Sequence, residues 1–365
     1  MSLAAKIIAH FAAAGHAGGQ PGVLFYNGVM TLPLGKLPPD RLAQLLQRIA
    51  ARDSSVLLGP GVGRDCAVME FAGDQLLVAK SDPITFATDE IGWYAVHVNA
   101  NDLATTGAAP RWFLATVLLP RTIGPEELEQ IFDQLRAACA DVGATIVGGH
   151  TEVTYDLTRP IVMGTLLGTV ARDRLITPDG ARPGDAIILT KRLAVEATSI
   201  IAREKAAELR LAFDGPFLER CRRFLHEPGI SVLRDAQVAL QAGAVHAMHD
   251  PTEGGVATAL NELALAARVD LRIDLDAVPI YPQTQALCDH FGLDPRGVIA
   301  SGSLLLAVEA AEAERVVAAL QRNRIEATVI GHVMDKSVQP IVLAESGDRC
   351  EPLRAFAQDE IARLF

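Results

Sequence analysis

The sequence predicts two consecutive α+β domains. Its 365 residues are enough for two separate cores. Strand-like and helix-like segments occur in both halves, and the strands come paired as often as they alternate with helices, which argues against one doubly wound sheet. The cluster Pro178-Asp179-Gly180-Ala181-Arg182-Pro183-Gly184-Asp185 concentrates turn-forming residues at mid-chain and marks the boundary. The chain thus divides into an N-terminal extension over 1–34, expected to be poorly ordered, a first domain over 35–175 and a second over 176–365.

In the first domain, residues 67–71 and 75–80 read as a hairpin turning at Gly73-Asp74. Residues 90–106 are long enough for a helix and place Trp93, Val96, Ala100 and Leu103 on one stripe. The apolar, β-branched stretch 112–119 is a buried strand. Residues 125–142 form a helix, with Pro125 at its start and Glu126, Glu127 and Glu129 favouring the positive end of its dipole. Strands at 145–147 and 161–170 complete the half. In the second domain a strand at 186–190 is followed by helices within 195–209, 216–224 and 231–241. A strand at 245–248, a helix at 254–267 and strands near 271–273, 303–309 and 327–333 follow.

Composition removes several function classes. A net charge of -11 with no basic run gives no electrostatic grip on nucleic acid. No apolar run reaches the roughly 18–20 residues of a membrane span. The five cysteines are odd in number, widely spaced and without a CxxC pair, so neither a disulfide framework nor a zinc site is expected, and a reducing cytoplasm is the expected compartment.

Five segments carry candidate chemistry. In Gly59-Pro60-Gly61-Val62-Gly63-Arg64-Asp65, glycines without Cβ let backbone N–H groups approach an anion, and Asp65 can hold a metal beside it. The segment is neither GxGxxG nor a P-loop. In Lys80-Ser81-Asp82-Pro83, a carboxylate leaves the end of the 75–80 strand, where α/β proteins commonly bind ligands. Asn99-Ala100-Asn101-Asp102 places three mediocre helix formers late in the 90–106 helix, a local cost of the kind tolerated for function. Periodicity sets Asp102 opposite Trp93, on a solvated face. Gly148-Gly149-His150-Thr151-Glu152 follows the 145–147 strand, and His249-Asp250-Pro251-Thr252-Glu253-Gly254-Gly255 lies between a strand and a helix. Both put carboxylate, hydroxyl and glycine at a strand's C-terminal end, which suits Mg²⁺ and phosphate and is also ordinary turn and N-cap chemistry. Hard oxygen ligands across all five favour Mg²⁺.

Taken in order, these segments resemble the AIR synthetase-related (PurM-like) superfamily, in its HypE-like branch. Residues 63–68 resemble the family's GDDAAV-type loop, Ser81-Asp82 its TD motif and Asn101-Asp102-Leu103-Ala104 with Gly107-Ala108 its NDLA–GA helix. Residues 148–151 resemble its GGxT loop and residues 250–255 the DPTRGG segment of the branch. The resemblance spans roughly residue 35 to the C-terminus.

It implies a homodimer in which the N-terminal domain forms a β-barrel shared with a second copy, and a C-terminal α/β domain closing over the site. ATP would lie in a cleft near the dimer interface with Mg²⁺ held by carboxylates. The implied activity is phosphoryl transfer activating a small-molecule acceptor. The alternative is a regulatory or hydrogenase-type maturation protein that works with a partner protein and has no turnover of its own. Carried onto this sequence, Asp65, Asp82, Asp102 and Glu152 become metal ligands. Gly61, Gly63, Asp65, Asn101, Asp102, Gly148, Gly149 and Thr151 contact the nucleotide, while Asp250 and His150 stand at the chemistry. Two positions depart from the pattern. Arg64 occupies a place where relatives commonly have an acid. The sequence given ends Leu364-Phe365, whereas HypE carries a cysteine at its extreme C-terminus, and Cys350 lies fifteen residues earlier.

Overall fold

The computed structural model describes residues 24–26, 29–31, 37, 39–49, 53–61, 64–85, 87, 89–356 and 358–365. Most of the expected extension 1–34 lies outside them; its described part is a hairpin of β1 (Leu24–Tyr26) and β2 (Val29–Thr31).

Helix α1 (Pro39–Leu46) leads into a first sheet built from β3 (Val56–Leu58), β4 (Ala67–Glu70), β5 (Gln75–Ile84), β6 (Ala109–Pro120), β7 (Thr145–Thr154) and β8 (Ile161–Ala171). Its strand order is β3-β4-β5-β8-β6-β7, and within one chain it is open among the described residues. The hairpin read at Gly73-Asp74 forms, with Ala67 opposite Ala79 and Glu70 opposite Leu76, and Gly73 supplies the left-handed φ of 60°. Two strands run further than the sequence suggested. β5 pairs with β8 from Gln75↔Ala171 through Ile84↔Val162, so Asp82 sits inside a strand and not at its end. β7 pairs in parallel with β6 from Trp112↔Thr145 to Pro120↔Thr154, so residues 148–152 are a strand and not a loop. The β-branched Thr151, Val153 and Thr154 and a long partner carry the strand across two glycines. Gly149 is required there: its φ is 148°, and a Cβ would lie 2.0 Å from the Ala115 carbonyl oxygen.

Helices α2 (Ile91–Thr105) and α3 (Pro125–Asp141) pack together beside this sheet, close enough that a Cβ on Gly92 would meet the Ile131 carbonyl oxygen at 2.6 Å. Pro125 and the acidic first turn of α3 stand as expected. The α2 stripe of Trp93, Val96, Ala100 and Leu103 proves to be part of an all-round burial: every residue of the helix except Trp93 is buried. The expectation that Asp102 is solvated is therefore overturned; it is 2% exposed. Strand β5 of the first sheet, through Lys80 and Asp82, covers the face that periodicity assigned to water.

That second half holds α4 (Val195–Glu204), α5 (Ala206–Leu209), α6 (Gly215–Arg223), α7 (Leu233–Ala242) and α8 (Gly255–Ala267). It also holds α9 (Pro282–Phe291) and α10 (Ala313–Arg322). These flank a seven-stranded sheet of β9 (Ala186–Thr190), β10 (Val245–His249), β11 (Val269–Asp274), β12 (Leu305–Val308), β13 (Ala327–Lys336), β14 (Val342–Ser346) and β15 (Arg349–Pro352). The order is β10-β12-β9-β13-β11-β14-β15, antiparallel except for β11–β14. Paired antiparallel strands with helices segregated between them match the α+β expectation. The reading from sequence assigned no element to α9, α10, β3, β14 or β15. One apolar cluster runs from Leu76 and Val78 in the first sheet to Leu189 and Leu271 in the second, so the two halves share a continuous core.

Within that core His97 of α2 is 1% exposed, its ring 4.3 Å from that of Trp93. Asp141 lies 3.5 Å from Nε2 but is 55% exposed and well hydrated, so its pull is weak. Burial holds the His97 pKa down to about 3, with His226 adding to the effect. The unfolded chain therefore takes up a proton between about pH 6.5 and 3 that the folded chain refuses, and stability falls as pH drops through that window. The slope is on the order of 1.4 kcal/mol per pH unit for one proton. Denaturant unfolding of His97→Gln between pH 7 and 4.5 is expected to show a shallower loss than the parent chain. Parallel pH profiles would refute the assignment.

Candidate functional site

Four places bring charged groups together at the junction of the two halves: the turn before β4, strand β5, helix α2 and the turn after β10. Side chains two apart on a strand share a face, so Lys80 and Asp82 both look toward α2. The Lys80 ammonium is 3.1 Å from Asp82 Oδ2 and 3.1 Å from Asp102 Oδ2. Asn99 ties the strand to the helix, because the Asp82 backbone N–H donates to Asn99 Oδ1 at 3.0 Å and Asn99 Nδ2 donates to the Ala95 carbonyl at 2.8 Å. Asp102 is buried with little access to water, and the Lys80 ammonium 3.1 Å away supplies the counter-charge its carboxylate needs. Burial opposes the charge of Lys80, yet Asp102, Asp82 and Asp65 around it hold the ammonium protonated well above its ordinary range.

From the second half, His249 and Asp250 close on Asp65. The three offer ligand atoms within 4.8 Å of one another, and His249 Nδ1 is 3.9 Å from Asp65 Oδ2. His249 Nε2 lies 2.9 Å from Glu262 Oε2. An ionised carboxylate only accepts, so Nε2 carries a proton toward Glu262, and Nδ1 is the ring nitrogen that faces Asp65. Between these groups lies Cys66, 5% exposed, whose thiol burial pushes far up and nearby Asp102 further still. Its burial and raised pKa suit a packing role.

The sequence-derived residues separate into two groups. Asp65, Asp82, Asp102 and Asp250 come together. His150, Thr151, Glu152, Gly148 and Gly149 do not join them within one chain: they lie exposed on β7, at the far edge of the sheet, with His150 Nε2 3.3 Å from Glu152 Oε2. Gly61 sits against the Arg64 side chain, and Gly63 lies outside the described residues. Arg64 and, from the second half, Arg268 and Lys336 line a cavity of about 470 Å³ beside the glycine segment, with Asp179 and Leu58 completing its wall. Asn101 is spent on joining the halves. Its Nδ2 donates to the Ile230 carbonyl at 2.7 Å, and its Oδ1 accepts from the Val232 N–H at 2.9 Å.

At the N-terminus of α8, which the sequence left open between phosphate binding and ordinary turn chemistry, the backbone N–H groups already have protein acceptors. Gly254 N–H donates to Asp359 Oδ2 at 2.7 Å, Gly255 N–H to the Thr252 carbonyl and Ala257 N–H to the Arg296 carbonyl. Asp359, 4% exposed, is raised to about 6 by burial. Sequence reasoning gave no role to Lys80, Glu262 or Asp359. The i, i+2 spacing of Lys80 and Asp82 was a usable signal once strand β5 was known to continue. Asp359 left none, being 105 residues from its partner.

Family comparison agrees with this layout. Residues 63–170 match the N-terminal domain of AIR synthase related proteins, and residues 182–342 match the C-terminal domain. The chain belongs to the AIR synthase-related family. Among curated relatives of this AIR synthase-related chain, the carbamoyl dehydratase HypE of Rhizobium leguminosarum bv. viciae is 32% identical over 283 residues, covering 74% of this chain and 77% of that protein. The HypE of Cupriavidus necator is 31% identical over 306 residues, covering 80% and 83%. The crystal structure of a hydrogenase maturation protein HypE in complex with ATP superposes with a TM-score of 0.67 at 27% identity, covering 83% of this chain and 92% of that one. A ThiL complexed with AMPPCP and TMP shares the fold, at TM-score 0.66 and 19% identity, covering 89% and 99%.

Because Asn101 bridges the halves with both amide atoms, Asn101→Ala leaves a buried carbonyl and a buried N–H without partners. The expected cost is about 2–3 kcal/mol of unfolding free energy. Denaturant titration of the AIR synthase-related chain and its variant measures it, and a change below about 0.5 kcal/mol, the level of an ordinary surface substitution, would contradict the bridge.

Proposed function

We propose that this chain binds ATP with a divalent cation at the junction of its two sheets and activates a small-molecule acceptor by phosphoryl transfer. The observation that carries the reading is the convergence of Asp65, Asp82, Asp102 and Asp250, from both halves, around one ammonium and one imidazole. It is supported by a family member solved with ATP.

Two carboxylate oxygens and one imidazole nitrogen from Asp65, Asp250 and His249 suit Mg²⁺ or Mn²⁺. When bound, such an ion neutralises charge on the polyphosphate. The chain's own groups do the rest. Glu262 orients the His249 ring, Asp250 joins Asp65 from the second half, and Lys80 presents a positive charge between Asp82 and Asp102. Phosphoryl transfer asks mainly for positioning and charge neutralisation, which these groups supply. The four buried cysteine thiols fit a reducing cytoplasm, and no helix of the described residues is long and apolar enough to cross a membrane.

The same reading includes a homodimer. β7 is an edge strand exposed along nine of its ten residues, with Ile146, Val147 and Val153 42–58% exposed. An exposed apolar edge of that length invites pairing. A second copy seated there extends the open sheet toward the shared barrel and brings His150, Thr151 and Glu152 to a subunit boundary, where contacts to the nucleotide become open to them.

A second reading rests on the relatives themselves. Proteins named carbamoyl dehydratase HypE, and a solved HypE–HypF complex, favour a maturation role on a group carried by a partner protein. Turnover of ATP that appears only with a partner protein present would select it over the small-molecule acceptor.

Isothermal titration with ATP and Mg²⁺ is expected to show binding that Asp65→Asn and Asp102→Asn weaken by about tenfold or more, equivalent to roughly 1.4 kcal/mol. Circular dichroism should show both variants folded. Full affinity in both would remove the metal–nucleotide site. Light scattering is expected to give twice the mass of one chain, falling toward a single chain in Val147→Glu/Val153→Lys. A monomeric parent at micromolar concentration would remove the dimer.

A further inference from the structure

The row of β5 that faces α2 is Leu76, Val78, Lys80, Asp82 and Ile84. Leu76, Val78 and Ile84 are buried core, so Lys80 and Asp82 are charged interruptions in an otherwise apolar row. From the helix above, Asp102 descends onto the same ammonium. The Lys80 side chain is 12% exposed and that of Asp102 3%. A carboxylate this far from water needs a cation, since a buried charge left uncompensated is strongly destabilising. Mg²⁺ meets that need elsewhere by sitting about 2.0–2.1 Å from each oxygen. With the Lys80 nitrogen 3.1 Å from both Asp82 and Asp102, the space between the two carboxylates is already filled. The lysine cannot leave it cheaply. Moving it would leave the buried Asp102 carboxylate without a counter-charge, and the Asp82 backbone is pinned to α2 through Asn99.

We infer that Lys80 is a resident cation of this site, standing between Asp82 and Asp102 where a divalent ion would otherwise be bound. The chain thereby holds one divalent ion fewer than its four converging aspartates suggest. The remaining ion belongs to Asp65, His249 and Asp250, whose ligand atoms lie within 4.8 Å of one another. A tethered ammonium differs from a bound ion in three ways. It needs no metal from solution, it carries one charge in place of two, and it offers hydrogen-bond donors to a phosphate oxygen in place of an open coordination position. The inference rests on reading these aspartates as a metal–nucleotide site, and it specifies which of them the metal can reach.

The test uses the full chain without nucleotide, titrated with Mn²⁺ and followed by electron paramagnetic resonance of the free ion. The parent chain is expected to bind one ion, Lys80→Met two, and Lys80→Arg, which restores the cation, one. Thermal unfolding gives a readout that a merely structural lysine would not move. Lys80→Met should melt earlier than the parent in EDTA and recover most of that loss with Mn²⁺, while the same ionic strength of KCl recovers none. If Lys80→Met cannot be purified folded, Lys80→Gln is measured in the same two ways. A parent chain that already binds two ions, or a folded Lys80 variant that gains neither an ion nor Mn²⁺-specific stabilisation, overturns the inference. Absence of ATP binding alongside the expected ion counts would instead overturn the nucleotide reading and leave the resident cation standing.

Discussion

Everything in this molecule turns on a helix that has no side facing water. α2 lies between the first sheet, α3 and the second half of the chain, yet its last two turns carry Asn99, Asn101 and Asp102. Each polar group must be met, because an unpaired buried donor, acceptor or charge costs more than most single contacts return. The three solutions point in three directions. Asn99 grips strand β5, Asn101 grips the backbone at Ile230 and Val232, and Asp102 takes the ammonium of Lys80. One turn of helix thus sets the register of sheet to helix, docks the second half on the first and fixes the electrostatics of the site.

The same constraint explains why the site lies where it does. The apolar cluster joining the two sheets is continuous, so charged groups survive only where they satisfy one another. Along β5 the apolar row breaks for Lys80 and Asp82, and the turn after β10 delivers His249 and Asp250 against Asp65. On the far side of that turn, Asp359 takes the Gly254 N–H, and Gly255 can approach Arg296 only because it has no Cβ, which would lie 2.3 Å from that carbonyl oxygen. The turn is braced from behind, leaving its acidic face toward the first half.

Local patterns were legible wherever the determining contacts are local. The β4–β5 hairpin follows from Gly73, α3 from Pro125 and its acidic first turn, and the second-half elements up to α8 from periodicity and turn residues. Strand lengths were not legible. β5 and β7 continue through Pro83 and through Gly148-Gly149 because long partners, β8 and β6, hold their backbones, and pairing partners lie far away in sequence. α9 and α10 were missed for a different reason. Both carried a usable signal that was passed over: Ala313, Val316, Ala319 and Leu320 in α10, and Thr284, Leu287 and Cys288 in α9, recur at helical spacing and are the buried face of each helix.

By itself the sequence determined the α+β pattern, the order of the acidic and glycine segments and hence the family, and it singled out Asp65, Asp82, Asp102 and Asp250 as candidates. Composition and spacing carry that much because they constrain which residues can turn, alternate or hold charge. Only the tertiary structure decided that Asp102 is buried, that Lys80 neutralises it, and that residues 148–152 lie on an exposed edge away from the other candidates. Those outcomes depend on which strand lies beneath α2 and which strand ends the sheet, contacts between segments far apart in sequence. A helical projection cannot show that, because it sees one face turned to the core and takes the other to be water.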